Sequence, residues 1–157
     1  MVKVFHIRPG DEKAMPEMNN AIAKKLPVLS AIYMPGCGHC EELIPKWNMA
    51  ANQVSSSYSG DAIIALIHMD SIGGINIPKN NIRGYPHVSG YVNAVEEEYN
   101  GDRSESDIMR FMIQTGGLTN MSMGGARKKR KLTSRRNRRP TRRRPSRRRR
   151  SRRSKRH

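Results

Sequence analysis

The stretch Ile32-Tyr33-Met34-Pro35-Gly36-Cys37-Gly38-His39-Cys40-Glu41-Glu42-Leu43-Ile44-Pro45-Lys46-Trp47 decides how the rest of the chain is read. Just before and into it, Pro27–Met34 is a short apolar run suited to a buried strand, and Pro35-Gly36 ends that run. Downstream, Leu43, Trp47 and Ala51 recur at helical spacing, so a helix is expected from Cys37 to about Ser57, with a kink at Pro45. The cysteines therefore sit where a strand stops and a helix starts. Free N–H groups and the helix dipole favour negative charge at such a first turn, so Cys37 is the expected nucleophile. Cys40 lies one turn along, more shielded and close enough to pair with it. A nucleophilic thiolate beside a resolving thiol is what disulfide exchange requires. His39 offers a positive charge to stabilise that thiolate. Spacing alone leaves two other uses of the pair open. One is a zinc site, although the further ligands on offer are only the scattered His6, His68 and His87. The other is a plain pair of buried cysteines.

Working outward, Val2–Ile7 reads as a strand closed by Pro9-Gly10. Asp11 suits a helix N-cap, and Met15, Met18, Ile22 and Leu26 give residues 11–25 an amphipathic face. Ala62–Met69 is the best buried-strand candidate, and residues 71–81, with Gly73-Gly74 and Pro78, read as irregular. His87–Asn93 and Val95–Tyr99 read as a strand pair. Ser104, with Asp107 three residues on, caps a helix to about Thr115 that Gly116-Gly117 terminates. The order β-α-β-α-β-(loop)-β-β-α predicts an α/β domain, one mixed sheet with helices on both faces.

The quoted stretch resembles the active-site segment of thioredoxin-superfamily domains, and is most similar to the catalytic domains of protein disulfide isomerases, whose signature is also Cys-Gly-His-Cys. The helix proline five residues after the second cysteine is present as Pro45. Ile82-Arg83-Gly84-Tyr85-Pro86 resembles the segment that carries the family's cis-proline, and Tyr99-Asn100-Gly101-Asp102-Arg103-Ser104 its last strand–helix junction. The resemblance covers about residues 2–115 and implies a thioredoxin fold with its third helix reduced to the loop 71–81. It implies that Cys37 attacks and Cys40 resolves, with no cofactor or metal beyond the redox-active disulfide. Pro86, with Tyr85 and Gly36, would shape a groove for substrate peptides bearing thiols or disulfides, and Arg103 would tune Cys40. Two further departures stand out. The family's Trp before the first cysteine is Gly36, and the buried acid six residues before it, which relays the proton of the second thiol, is Ala31.

Charge divides the 157 residues sharply. Arg127–Arg156 holds 20 of the 30 Lys and Arg residues and no acid, whereas residues 1–126 carry 10 basic and 13 acidic side chains. The expected organisation is a thioredoxin-like domain over 1–117, a flexible Gly, Ser and Met linker over 118–126, and a disordered basic tail over 127–157. In that tail Arg-Arg-Pro-Thr-Arg at 138–142 is followed directly by Arg-Arg-Pro-Ser-Arg at 143–147. Its density resembles protamine-like or viral core-protein tails. Arg135, Arg136, Arg138, Arg139, Arg142, Arg143, Arg144, Arg147, Arg148, Arg149 and Arg150 are the candidate phosphate contacts, binding nucleic acid without sequence preference. The start of the chain lacks the apolar run of a signal peptide, and the longest apolar run, Ala62–Ile67, is far short of a bilayer span. No membrane partner is expected, and the cytoplasm or nucleus of a host cell, or a virion, is the expected location. Large DNA viruses encode thiol-oxidising proteins of their own, and the chain looks like such a protein. Two functions follow: a thiol–disulfide oxidoreductase tethered to nucleic acid, or a packaging or virion-core protein whose thioredoxin-like domain is a structural module.

Overall fold

The computed structural model describes residues 1–11 and 13–123. In chain order these form β1 (Lys3–Ile7), α1 (Ala14–Ala23), β2 (Val28–Tyr33), α2 (Gly38–Ser57), β3 (Tyr58–Ser59) and β4 (Ile63–His68). A 3-10 turn over Met69–Gly74 follows, then β5 (His87–Val92), β6 (Val95–Glu98), α3 (Glu105–Gly116), β7 (Thr119–Asn120) and a last 3-10 turn over Met121–Met123. Five strands make one mixed sheet in the order β1-β4-β2-β5-β6. β1 and β2 run parallel to β4, while β5 runs antiparallel to β2 and β6 antiparallel to β5. This is the expected thioredoxin fold, with a 3-10 turn and an irregular segment where the family has its third helix.

β2 and β4 are buried on both faces, which is why both read as continuous apolar runs rather than alternating ones. Leu29, Ile64 and Val88 face a core closed by Leu43, Trp47 and Val54 of α2 and Ile108 and Met112 of α3. Trp47 is 1% exposed, and truncating a tryptophan so placed costs about 3–5 kcal/mol. On the other face, Ile32, Ile63 and Ile67 meet Met18 and Ala21 of α1. Ile75 and Ile77 complete this second core from the irregular segment. Asn19 of α1 pins the start of that segment, donating to the Gly74 carbonyl at 2.8 Å and accepting from the Asn76 N–H at 2.8 Å.

The elements depart from expectation in two places. Asp11 does not cap α1, which begins after Lys13 without a side-chain cap; the Asp11 N–H instead closes a turn on the Arg8 carbonyl. Residues 118–123, expected to be linker, are built into the domain. Gly117 takes a left-handed conformation (φ 61) that ends α3 and sends Leu118 back into the core, where it is 6% exposed. Thr119 and Asn120 then pair antiparallel with Ser59 and Tyr58. Leu118 lies so close to Gly60 that a Cβ there would come within 2.6 Å of its methyl group. One leucine followed by Thr119-Asn120-Met121-Ser122-Met123 carries no clear helical or strand period, which is why composition misassigned it.

Candidate active site

β2 delivers the chain to the turn Met34-Pro35-Gly36, and α2 takes over at Gly38. Gly36 sits at φ +73, the left-handed region that glycine enters without steric cost, so the residue before the first cysteine has a backbone reason to lack a side chain. Cys37 is the N-cap of α2, with extended backbone (φ −93, ψ 113). Its Sγ accepts the Cys40 N–H at 3.3 Å, the position a serine or aspartate oxygen takes in an ordinary cap. The positive end of the helix dipole is thereby aimed at the sulfur. Cys37 Sγ–H also donates to the Tyr85 carbonyl at 3.7 Å, across 48 residues of sequence.

Cys37 is half-buried whereas Cys40 is 1% exposed, so an incoming group meets Cys37 first. Burial pushes the Cys40 thiol above its ordinary value, and the hydrogen bond with Cys37 adds to this; the Met34 backbone and the charge of Arg103 pull the other way. Ala31 is fully buried, flanked in the sheet by Leu66 and Val88. The position of the family's relay acid is therefore apolar on both sides.

The structure brings Tyr85 and Pro86 to Cys37, and the Tyr85–Pro86 peptide bond is cis. Arg103 joins them from the junction before α3. Pro86, His87, Glu98 and Arg103 line a groove that continues past Arg83 and Gly84 on one side and Tyr99 to Gly101 on the other. His39 is not drawn in. Its ring stands about three-quarters exposed, with Nδ1 4.0 Å from Glu42 Oε2, and among the described residues no hydrogen bond links it to Cys37. The tail arginines from Arg135 to Arg150 lie outside the described residues.

A pair that the sequence reading did not join, Tyr99 with Asp107, holds Arg103 in place. The Tyr99 hydroxyl donates to Asp107 Oδ2 at 2.7 Å and accepts the Arg103 N–H at 3.0 Å, fixing a residue whose own φ is 59. Burial and the bond to Asp107 push the Tyr99 hydroxyl up to about 12, so it remains a donor at neutral pH. Asp107 was legible as the N3 partner of Ser104, which does accept its N–H at 3.2 Å. Its second use, through Tyr99, had no local signal.

A buried resolving thiol and a capping thiol that meets the carbonyl of a cis Tyr85–Pro86 bond make the dithiol centre of a thiol–disulfide oxidoreductase of thioredoxin type. The family model described as Thioredoxin matches residues 12–114. The chain belongs to the thioredoxin family. Among known proteins it is 38% identical over 92 residues to protein disulfide-isomerase of Ricinus communis, covering 54% of this chain and 17% of that one. It is 28% identical over 113 residues to protein disulfide-isomerase erp38 of Neurospora crassa, covering 69% of this chain and 30% of the other. The chain thus spans less than a third of these relatives. Two solved structures share its fold. The first thioredoxin domain of mouse protein disulfide-isomerase A4 matches with a TM-score of 0.50 at 20% identity, covering 82% of each chain. A mutant thioredoxin from Halobacterium salinarum matches with a TM-score of 0.50 at 20% identity, covering 74% of this chain and 94% of its own.

Proposed function

We propose that this chain exchanges disulfides with protein thiols through Cys37 and Cys40, and that its basic C-terminal run holds it on nucleic acid. One observation carries the redox half: Cys37 Sγ, half-buried at the N-cap of α2, meets both the Cys40 N–H and the Tyr85 carbonyl, while Cys40 is closed to solvent. In the oxidising direction a substrate thiolate attacks Cys37 Sγ of the Cys37–Cys40 disulfide. The substrate–Cys37 bond forms, the Cys37–Cys40 bond breaks, and the electron pair leaves on Cys40 Sγ. A second substrate thiolate then displaces Cys37. In all, the substrate gives up two electrons and two protons, and the two cysteines take them up. Reduction is the same sequence in reverse, and isomerisation is attack by Cys37 followed by release through another substrate thiol. With Ala31 in place of an acid, steps that deprotonate Cys40 are the slow ones, so oxidation and mixed-disulfide formation are the favoured reactions.

The tail half of the reading rests on charge. Arginines from Arg135 to Arg150 pair bidentately with phosphates, and no aromatic residue accompanies them to read bases. Binding of this kind weakens steeply with salt, on the order of 10³–10⁵-fold between 50 and 200 mM for about eight phosphates. A setting rich in nucleic acid, whether cytoplasm, nucleus or virion, fits it.

The test is to equilibrate the full chain across a series of glutathione buffers, with Cys37→Ser as control. A single two-electron transition is expected, nearer the roughly −180 mV of disulfide isomerases than the roughly −270 mV of thioredoxin, and lost in the variant. A pair that forms no disulfide at any buffer ratio sinks the enzyme reading and leaves a thioredoxin-shaped module on a polycation. Truncation after Ala126 should keep the transition and abolish salt-sensitive retention on DNA or RNA.

A further inference from the structure

Edge strand β6 carries three consecutive glutamates, and one of them is turned inward. The side chain of Glu96 is 8% exposed, against His87, whose side chain is 5% exposed. Its carboxylate receives three hydrogen bonds. His87 Nε2 lies 3.0 Å from Oε1, the Tyr91 hydroxyl donates to Oε1 at 3.1 Å, and Asn81 Nδ2 donates to Oε2 at 2.6 Å. The network continues inward, Ser89 donating to the Tyr91 oxygen at 2.9 Å and Ser30 reaching the Ser89 carbonyl at 3.4 Å. A carboxylate taken this far from water is tolerated only when its lone pairs are filled in this way.

The partners of Glu96 bracket the cis-proline segment. Asn81 lies in the irregular chain that leads into Arg83-Gly84-Tyr85, and His87 is the residue directly after Pro86. Between them hangs the Tyr85 carbonyl, the group that contacts Cys37 Sγ. Among the described residues, the backbone from Asn81 to Pro86 is otherwise tied by the bond from the Ile82 N–H to the Lys79 carbonyl, at 3.3 Å, and by the Cys37 contact on the Tyr85 carbonyl, while His87 begins β5 and pairs with Ile32 of β2. One carboxylate on a neighbouring strand thus ties the Asn81 end of the segment, which has no strand pairing of its own, to the side chain of His87 at the end that the sheet already holds.

We infer that Glu96 is a positioning residue for disulfide exchange: by holding Asn81 and His87 it fixes the Tyr85–Pro86 edge at the distance from Cys37 that a substrate polypeptide requires. The inference rests on the redox reading above and makes a distinction within it. A peptide must be laid along the Tyr85–Pro86 edge before its sulfur meets Cys37, whereas a small aromatic disulfide has no backbone to align. Loosening the clamp therefore slows exchange with peptides and spares exchange with small disulfides. A misplacement of about 1 Å costs such a step up to about 100-fold.

Reduced full-length protein is mixed, in separate runs, with a peptide containing one disulfide and with 5,5′-dithiobis(2-nitrobenzoate), for wild type, Glu96→Ala, Glu96→Gln and Asn81→Ala. Glu96→Ala should lower the peptide rate about tenfold and leave the aromatic rate within about twofold. Glu96→Gln, whose amide pairs with all three partners once Asn81 turns its own amide over, should restore most of the peptide rate. Asn81→Ala removes an exposed residue and so reads the same ratio without threatening the fold; a loss of about threefold confined to the peptide is expected. Equal losses with both disulfides, or no peptide-selective loss in either alanine variant, would overturn the assignment. The wild-type rate with the aromatic disulfide reports the thiol chemistry by itself, so failure of the redox reading shows there and not in the ratio. Amide exchange adds a readout independent of turnover. At Ile82, whose N–H is bonded to the Lys79 carbonyl, it should rise about tenfold in Glu96→Ala while β2 stays protected, and unchanged exchange there overturns the clamp equally.

Discussion

Cys37 and Cys40 are three residues apart and physically unlike. Cys37 caps a helix and is reachable, whereas Cys40 is sealed and its thiol is pushed above the ordinary range by burial and by its neighbour. This difference assigns the order of events and sets a pH dependence. Cys40 must lose its proton before it can expel a substrate from Cys37. Because its pKa lies above the ordinary thiol value of about 8.5, the anionic fraction, and with it the resolution rate, climbs steadily with pH and reaches no plateau below that value. Stopped-flow release from a preformed mixed disulfide at Cys37 measures this, and a plateau below neutral pH would contradict it. Cys40→Ser should leave that mixed disulfide trapped. His39 shows the limit of reading chemistry from adjacency. Residues two apart on a helix do not share a face, and His39 points to solvent beside Glu42 while the capping sulfur turns toward Tyr85.

The junction from β6 to α3 shows how an element presents one charge. Tyr99 and Asp107 meet over Gly101, Asp102 Oδ1 takes the Ser104 N–H at 2.8 Å, and Arg103 is left in a left-handed conformation facing the groove beside Pro86. A Cβ on Gly101 would run into both the Tyr99 phenol and the Asp107 carboxylate. Gly101→Ala should therefore cost about 1–3 kcal/mol, read from the urea midpoint. It should also shift the Cys37–Cys40 redox equilibrium, because Arg103 is the cation acting on Cys40. A variant as stable as wild type would show that the Tyr99–Asp107 bond does not hold this turn. Of this junction, Ser104 and its helix were readable from the capping pattern alone, since a cap is a contact over three residues. The bond between Tyr99 and Asp107 was not, because nothing in either residue's immediate surroundings announces the other.

For the molecule as a whole, the domain closes later than its composition suggests. Leu118 plugs the core under Gly60, and β7 pairs with β3. Truncation after Met123 should unfold close to the midpoint of the full chain, whereas truncation after Gly117 should lose about 2–5 kcal/mol, the usual cost of deleting a buried leucine. Equal midpoints for the two truncations would return residues 118–123 to the status of a linker. The described body is covered on one face by α2 and α3 and on the other by α1 with Ile75 and Ile77. Among its described residues no helix is long and apolar enough to cross a membrane.

The strand–cysteine–helix junction was legible in the residues themselves, because what shapes it is local. An apolar run stops at Pro35-Gly36, a sulfur caps the turn that follows, and Leu43, Trp47 and Ala51 point one way. The same holds for Ser104 with Asp107 and for the hairpin at Asn93-Ala94, where both residues take positive φ. Folding supplied the pairings that bridge long separations: Cys37 with Tyr85, Gly60 with Leu118, Glu96 with His87 and Asn81. In Glu96-Glu97-Glu98 nothing distinguishes one glutamate from the next until β6 takes its register against β5. Side chains alternate across a sheet, so that register puts Glu96 and Glu98 on one face and Glu97 on the other, and it is Glu96, opposite Tyr91, that meets the Tyr91 hydroxyl and His87 there.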